Sequence, residues 1–213
     1  MGFDKLRADL DGTPVYLHSL RTLQLCPQIG QIVLVASEKN RADFQEETKA
    51  LSKVTDVIAG GAERHLSVAA GLAKISSEFE WIGVHDAARP LLSAGDLIAV
   101  VEAARAHGAA ALAEPVADTL KRADANGYVT ESVDREGLWK MQTPQVFRAQ
   151  QLRTAYEQLL KAGEMVTDEV SAVAKEGVRV KLVAAQDLNF KITYPCDIAL
   201  ARLTLHSRSA GEK

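Results

Sequence analysis

The sequence has no apolar run of about 18 residues, the length that a membrane-spanning helix requires, and its first residues lack the apolar core of a signal peptide. It has only two cysteines, Cys26 and Cys196, far apart in the chain. A disulfide framework is therefore not expected, and a reducing cytoplasm fits. The formal net charge is -3, so no general excess of positive charge predicts binding to nucleic acid. An anionic ligand would need local positive charge.

Several common catalytic motifs are also missing. The sequence contains neither G-x-x-x-x-G-K-[ST] nor G-x-G-x-x-G, which disfavours a P-loop ATPase and a standard dinucleotide enzyme. It has no G-x-S-x-G nucleophile elbow and no histidine–cysteine cluster with zinc spacing. The chemistry therefore has to come from less common segments.

The residues that are present predict one domain over 1–213, because 47% hydrophobic residues can form a sizeable core. Short apolar runs alternate with segments of helical periodicity, a pattern typical of an α/β sheet with helices on both faces. The predicted strands are Ile32–Ala36, Val54–Ile58, Trp81–His85, Ala109–Ala113 and Val180–Ala184. The predicted helices are Val15–Leu25, Leu66–Ile75, Leu97–Ala106, Leu152–Leu160, Val170–Ala174 and Ile198–Leu205.

One stretch, near 115–135, departs from this alternation. Thr119–Arg122 and Tyr128–Ser132 flank an Asn126-Gly127 pair, which is a good signal for a hairpin turn. A polar hairpin buries little by itself, so we expect an arm that packs on a partner subunit. A solvated excursion is the alternative.

Three segments contain candidate functional residues. In Gly60–Ser67, glycines before a helix allow a close approach of the backbone to a ligand, and Arg64 can face a base, sugar or phosphate. The alternative is a plain turn with a surface arginine. In His85–Pro90, Asp86 follows a buried strand, where it can hold Mg²⁺ or simply cap the next turn. In Asn189–Pro195, Lys191 can meet a phosphate or extend to the surface.

Taken together, seven runs in the chain resemble one family. The sequence is similar to the 2-C-methyl-D-erythritol 4-phosphate cytidylyltransferases of the non-mevalonate isoprenoid pathway. The similarity extends from Asp4 to about Leu205. In order, the matching runs are GGAERHLSV, VHDAARP, PVADTLK, VDREGLW, QTPQVFR, TDEVSAV and NFKITYPCDIALA.

The resemblance implies a nucleotidyltransferase-type, Rossmann-like α/β fold with a mostly parallel sheet and an arm that interlocks in a homodimer. It implies transfer of CMP from CTP to methylerythritol phosphate, with Mg²⁺. The implied catalytic residues are Lys5 and Lys191. The nucleotide-binding residues are Gly61, Arg64, Ser67 and Asp86, with Asp86 also at the metal. The implied substrate-binding residues are Asp86, Arg89, Arg135, Thr143 and Thr167.

The N-terminus departs from the family pattern. The family begins with a buried strand and a loop rich in Ala, Gly and Arg, followed by a Met-Gly pair, whereas this sequence begins at Met1-Gly2. We expect roughly twenty family residues to be absent, which would expose unpaired strand edges and weaken CTP binding.

Two other functions remain open. One is a cytidylyltransferase for another sugar-alcohol phosphate, such as ribitol phosphate, although VHDAARP and DREGLW resemble the methylerythritol enzymes better. The other is a catalytically damaged dimer that binds CTP.

Overall fold

The computed structural model describes residues 4–211, in which strands and helices alternate along most of the chain. The strands are β1 (Asp9–Leu10), β2 (Thr13–Pro14), β3 (Ile32–Ala36), β4 (Val54–Ala59), β5 (Trp81–Val84), β6 (Ala109–Pro115), β7 (Leu120–Ala123), β8 (Val129–Val133), β9 (Trp139–Arg148) and β10 (Lys181–Ala184). The helices are α1 (Val15–Leu25), α2 (Glu38–Glu47), α3 (Arg64–Leu72), α4 (Ala94–His107), α5 (Ala149–Ala162), α6 (Glu169–Lys175) and α7 (Cys196–Gly211). Among these described helices, none has the length and apolar character needed to cross a membrane.

The main sheet has the strand order β10-β6-β9-β5. β10 and β6 are parallel, while β9 runs antiparallel to both β6 and β5. β3 and β4 form a separate parallel pair. The α/β class predicted from the sequence is confirmed, with β9 as the one antiparallel member of the main sheet.

Helices cover both faces of the strands. In β3, Leu34 packs with Tyr16 and Leu20 of α1, whereas Val35 on the opposite face lies against α3. In β5, Ile82 packs with residues of α3 and α5. This arrangement follows from the period of two in a strand, which turns alternate apolar side chains to opposite layers.

A cavity of about 540 Å³ separates β3 from β5. β3 pairs only with β4, and β5 pairs only with β9, so in residues 4–211 each has one edge without a partner strand. Open edges were expected from the resemblance. The Met1-Gly2 start, on which the expected loss of a family loop rests, lies outside the described residues.

The arm near 115–135 is an antiparallel hairpin, β7–β8, as predicted. Its turn is closed by a hydrogen bond from the backbone N–H of Asp124 to the carbonyl of Tyr128, and Gly127 has a φ of 84°, a conformation that glycine adopts readily. The side chains of Tyr128 and Val129 are exposed. The hairpin is therefore observed, while its role in a dimer stays a prediction.

Candidate active site

The centre of the candidate site is Asp86. This residue comes after strand β5 and is separated from it only by His85. The ammonium of Lys191 donates to Asp86 Oδ2 at 3.0 Å. Two guanidinium groups lie slightly farther away, Arg64 at 3.6 Å and Arg89 at 3.5 Å. Three residues predicted from separate segments of the sequence thus converge on one carboxylate.

These cations control the ionisation of Asp86. Burial alone would raise the pKa of the Asp86 carboxyl, but the charges of Lys191, Arg64 and Arg89 outweigh burial and lower it. Asp86 is therefore an anion at neutral pH. Lys5 lines the same cavity, and its pKa is lowered by burial and by the nearby charge of Lys191.

The glycine turn packs tightly against the start of α3. A Cβ on Gly61 would lie only 2.5 Å from the Cβ of Leu66, so no other residue fits there without movement. The backbone N–H of Gly61 donates to Ser67 Oγ at 3.1 Å, which ties the turn to the helix. A helix follows the turn as predicted, although it begins at Arg64 rather than at Leu66. Ser67 lines the same cavity as Arg64 and Asp86.

Arg64 is held by a buried carboxylate that sequence analysis did not single out. Its two terminal nitrogens donate to the two carboxylate oxygens of Glu169, at 2.6 and 3.0 Å, and the Glu169 side chain is fully buried. The Tyr156 hydroxyl also donates to Glu169, at 3.0 Å. Such a two-pronged pair fixes both the position and the plane of the guanidinium.

Glu169 is in turn positioned by β9. The side-chain oxygen of Gln145 accepts hydrogen bonds from the backbone N–H groups of Glu169 and Val170, both at 3.1 Å. Gln145 is itself almost fully buried. The available signal for Glu169 was the run TDEVSAV, in which an acidic residue lies beside apolar ones, but the resemblance had assigned only Thr167 there.

Thr143 connects β9 to the Asp86 loop. Its hydroxyl accepts from the backbone N–H of Asp86 at 3.0 Å and lies 3.0 Å from Nδ1 of His85. Burial lowers the pKa of His85 to about 4, so its imidazole is neutral at pH 7. The Thr143 hydroxyl therefore holds the backbone of Asp86 in place while the His85 imidazole is neutral.

The loop that carries Lys191 is fixed by buried amide contacts. Asn189 donates to the Thr143 carbonyl at 2.9 Å and to Gln142 Oε1 at 3.0 Å. Arg89 donates to the Asn189 carbonyl at 2.8 Å. These bonds hold the loop against β9, so that Lys191 reaches Asp86.

Comparison with known proteins agrees with this geometry. The family model for 2-C-methyl-D-erythritol 4-phosphate cytidylyltransferase matches residues 1–207. The chain belongs to this family. The Chromobacterium violaceum cytidylyltransferase is 42% identical over 201 residues, which cover 93% of this chain and 88% of the relative. The Bacillus velezensis enzyme is 38% identical over 213 residues, covering 99% and 91%.

Solved structures of the family have the same fold. A crystal structure of 4-diphosphocytidyl-2C-methyl-D-erythritol synthase has a TM-score of 0.84 and 35% identity, covering 95% of this chain and 94% of the other. The cytidylyltransferase of Thermus thermophilus has a TM-score of 0.82 and 30% identity, with the same coverage. The Rossmann-like nucleotidyltransferase fold expected from the resemblance is therefore confirmed.

Two residues assigned from the cytidylyltransferase resemblance are not joined to the Asp86 cluster by contacts within residues 4–211. Arg135 lies at the base of the arm, where it donates to the backbone carbonyl of Ala117. Thr167 is exposed and immediately precedes Asp168, the residue that caps helix α6. Their roles in substrate binding stay predictions.

Proposed function

We propose that this chain transfers the CMP part of CTP to 2-C-methyl-D-erythritol 4-phosphate, releasing pyrophosphate and forming 4-diphosphocytidyl-2-C-methyl-D-erythritol. The observation that carries the proposal is the convergence of Lys191, Arg64 and Arg89 on Asp86, in a chain of this family. Such a cluster suits a reaction between two phosphate-bearing substrates.

The reaction requires no activated side-chain nucleophile. A phosphate oxygen of methylerythritol phosphate attacks the α-phosphorus of CTP in line, and the bond from that phosphorus to the bridging oxygen of pyrophosphate breaks. The barrier lies in bringing anions together and in the charge that grows at the α-phosphate. Lys5 and Lys191 are the proposed catalytic residues because fixed ammonium groups stabilise that charge without reorganisation.

The nucleotide and the acceptor would bind on different sides of Asp86. Gly61, Arg64 and Ser67 form the proposed contacts with CTP, since they lie together at the start of α3. Arg89, Arg135, Thr143 and Thr167 are the proposed contacts with methylerythritol phosphate. Glu169 and Asn189 hold Arg64 and Arg89 in advance, which lowers the entropic cost of binding.

A divalent metal ion fits the donor chemistry at Asp86. Mg²⁺ is commonly bound by one or two carboxylates together with substrate phosphates, and Asp86 offers one ionised carboxylate. When bound there with the CTP phosphates, Mg²⁺ would neutralise charge on the triphosphate. Lys191 would then turn from Asp86 toward a phosphate.

The assignments of domain, location and assembly rest on the family resemblance and on the arm near 115–135. We expect one cytidylyltransferase domain over 1–213, acting in the cytoplasm as a homodimer through the arm near 115–135. The arm supports the dimer because exposed Tyr128 and Val129 leave apolar surface at its end.

Pyrophosphate release from CTP and Mg²⁺ tests the function directly, with methylerythritol phosphate and ribitol phosphate as parallel acceptors. We expect release with methylerythritol phosphate and little with ribitol phosphate. Faster release with ribitol phosphate would reassign the acceptor. CTP binding without release, in a chain shown to be folded, would contradict the catalytic assignment.

A further inference from the structure

Lys5 lies in a short turn that is closed by two hydrogen bonds to Asp4. The backbone N–H of Arg7 donates to the carbonyl of Asp4 at 3.2 Å, so Lys5 occupies the second position of the turn. The Asp4 side chain also closes the turn, since its Oδ1 accepts from the backbone N–H of Leu6 at 3.2 Å. The direction of the Lys5 side chain therefore depends on where Asp4 is held.

The Asp4 carboxylate is held by helix α2. Its other oxygen, Oδ2, accepts from the side-chain amide of Asn40 at 2.7 Å. Asn40 lies in the first turn of α2, and only 6% of its surface is exposed. A hydrogen bond to a charged group is stronger than one between neutral groups, and burial strengthens it further. This bond thus joins the turn that contains Lys5 to a helix.

Helix α2 gives this bond a fixed position, because the other buried residue of the helix packs in the core. Phe44 is fully buried and stacks on Tyr16 of α1, with ring centroids 3.9 Å apart. The Tyr16 hydroxyl donates a hydrogen bond to Glu47, the last residue of α2. The helix is anchored at its middle and at its end, so the Asn40 amide has little freedom to move away from Asp4.

A second contact between the turn and α2 is weaker. Arg7 forms ion pairs with Asp43 at 3.2 Å and with Glu47 at 3.0 Å, but 35% of the Arg7 side chain is exposed. Partly exposed ion pairs contribute little to stability, because water and salt screen them. We therefore expect the bond between Asn40 and Asp4 to position the turn more strongly than Arg7 does.

We propose that Asn40 is a positioning residue for Lys5, acting through the carboxylate of Asp4. By fixing Asp4, Asn40 keeps the ammonium of Lys5 at one end of the cavity. Asp86 and Lys191 line the same cavity. The lowered pKa of Lys5 agrees with this placement, because burial is its largest cause and the charge of Lys191 is the next. The catalytic role of Lys5 rests on the proposed function, whereas its placement by Asn40 does not.

The test compares three variants of the whole chain. Asn40→Ala removes the amide donor without changing the charge. The exchange variant, Asp4→Asn with Asn40→Asp, restores a pair of one amide and one carboxylate, and a carboxylate is favourable in the first turn of a helix. Gln45→Ala, at an exposed position of α2, is the matched control.

The direct readout is the pKa of the Lys5 amine, measured by NMR of chains with carbon-13-labelled lysine and assigned with Lys5→Arg. In Asn40→Ala this pKa should rise toward its ordinary value of 10.5, because the turn loosens and the ammonium becomes better hydrated. The exchange variant and Gln45→Ala should keep the lowered pKa. An unchanged pKa in Asn40→Ala, or a pKa as high in the exchange variant as in Asn40→Ala, would overturn the proposal.

Pyrophosphate release connects this placement to catalysis. In Asn40→Ala, kcat should fall by about tenfold to a hundredfold, since a misplaced ammonium loses its alignment with the reacting atoms, and KM for CTP should change less. The exchange variant should recover most of the kcat. A normal kcat in Asn40→Ala, with Lys5→Ala impaired, would overturn the positioning role. A normal kcat in Lys5→Ala would instead contradict the proposed function of Lys5, and the pKa comparison would still decide its placement by Asn40.

Discussion

Lys191 is the cation in direct hydrogen-bonding contact with Asp86, and its position depends on a buried loop rather than on a helix. If its ammonium stabilises charge at the α-phosphate, Lys191→Ala should lower kcat by roughly 10²–10³. Steady-state pyrophosphate release measures the effect. Lys181→Ala, which removes an exposed lysine from β10, is the matched control and should keep the kcat of the unmodified chain. A normal kcat in Lys191→Ala would remove this residue from the mechanism.

Glu169 is predicted to position Arg64. In Glu169→Gln, an amide nitrogen would face the guanidinium nitrogens, donor against donor, and the free energy of unfolding should fall by about 1.5–3 kcal/mol. Urea unfolding gives this value. Because Arg64 would lose its orientation, KM for CTP should rise more than kcat falls.

Glu46→Gln provides the control for Glu169→Gln, since Glu46 forms an exposed ion pair with Lys49. That change should alter the free energy of unfolding by less than about 1 kcal/mol. Equal stability of the two variants would show that the Arg64–Glu169 pair does not hold the site together.

His85 should give the protein a distinct dependence of stability on pH. Its pKa is lowered from 6.5 to about 4, mainly by burial, and its Nε2 has no hydrogen-bond partner. Between these values the unfolded chain binds a proton and the folded chain does not, so stability falls as pH decreases from 6.5 to 4, by up to about 3 kcal/mol. The pKa of the Asp86 carboxyl is also lowered, but protonation of Asp86 reduces the free energy of unfolding only below pH 3.8.

The pH effect can be assigned to His85 by comparing how steeply the free energy of unfolding changes with pH in different variants. Unfolding free energies measured between pH 7 and pH 4.5 should decline less steeply in His85→Gln than in the unmodified chain. His107→Gln, at an exposed position near the end of α4, should retain the original slope. An unchanged slope in His85→Gln would mean that another group titrates in this window.

Sequence patterns located the ends of strands β4 and β5 well, because short apolar runs followed by Gly60 or Asp86 are unambiguous. They did not reveal Glu169 or Gln145, since a buried polar residue is recognisable only once its partners are known. Arg64 and Glu169 are 105 positions apart. Local periodicity contains no information about such a pair.

At the scale of elements, β9 was not predicted as a strand. Gln142, Thr143 and Gln145 are buried polar residues that interrupt the apolar alternation expected of a sheet strand. Each is buried because it forms hydrogen bonds with the active-site loops.

Helix α2 was not predicted for a different reason. It buries only Asn40 and Phe44, so its apolar stripe is too weak to detect.

The β7–β8 arm is the element with the clearest predicted role in assembly. Replacing residues 121–132 with a short Asn-Gly turn should convert the proposed homodimer to a monomer, because the exposed tip with Tyr128 and Val129 would be lost. Sedimentation equilibrium measures the mass, and circular dichroism checks that the helices remain. A shortened chain that still dimerises would place the interface elsewhere on the molecule.

For the molecule as a whole, the attraction of an anionic nucleotide depends more on where the charges lie than on the net charge. The chain has a net charge of -3, yet Lys5, Arg64, Arg89 and Lys191 gather around Asp86 and Glu169. Four positive and two negative charges leave a local excess of two positive charges. A positive cleft in an acidic protein attracts an anionic nucleotide over a distance set by salt.

Raising NaCl from about 0.01 M to about 0.1 M shortens the Debye length from roughly 30 Å to roughly 10 Å. At constant Mg²⁺, KM for CTP should therefore rise by about threefold to tenfold, since the approach of CTP is screened. The kcat at saturating CTP should change little, because charges within the occupied site are poorly screened. A KM that is independent of salt would show that short-range contacts alone capture the nucleotide. A parallel fall in kcat would instead indicate that salt disturbs the Asp86 cluster itself.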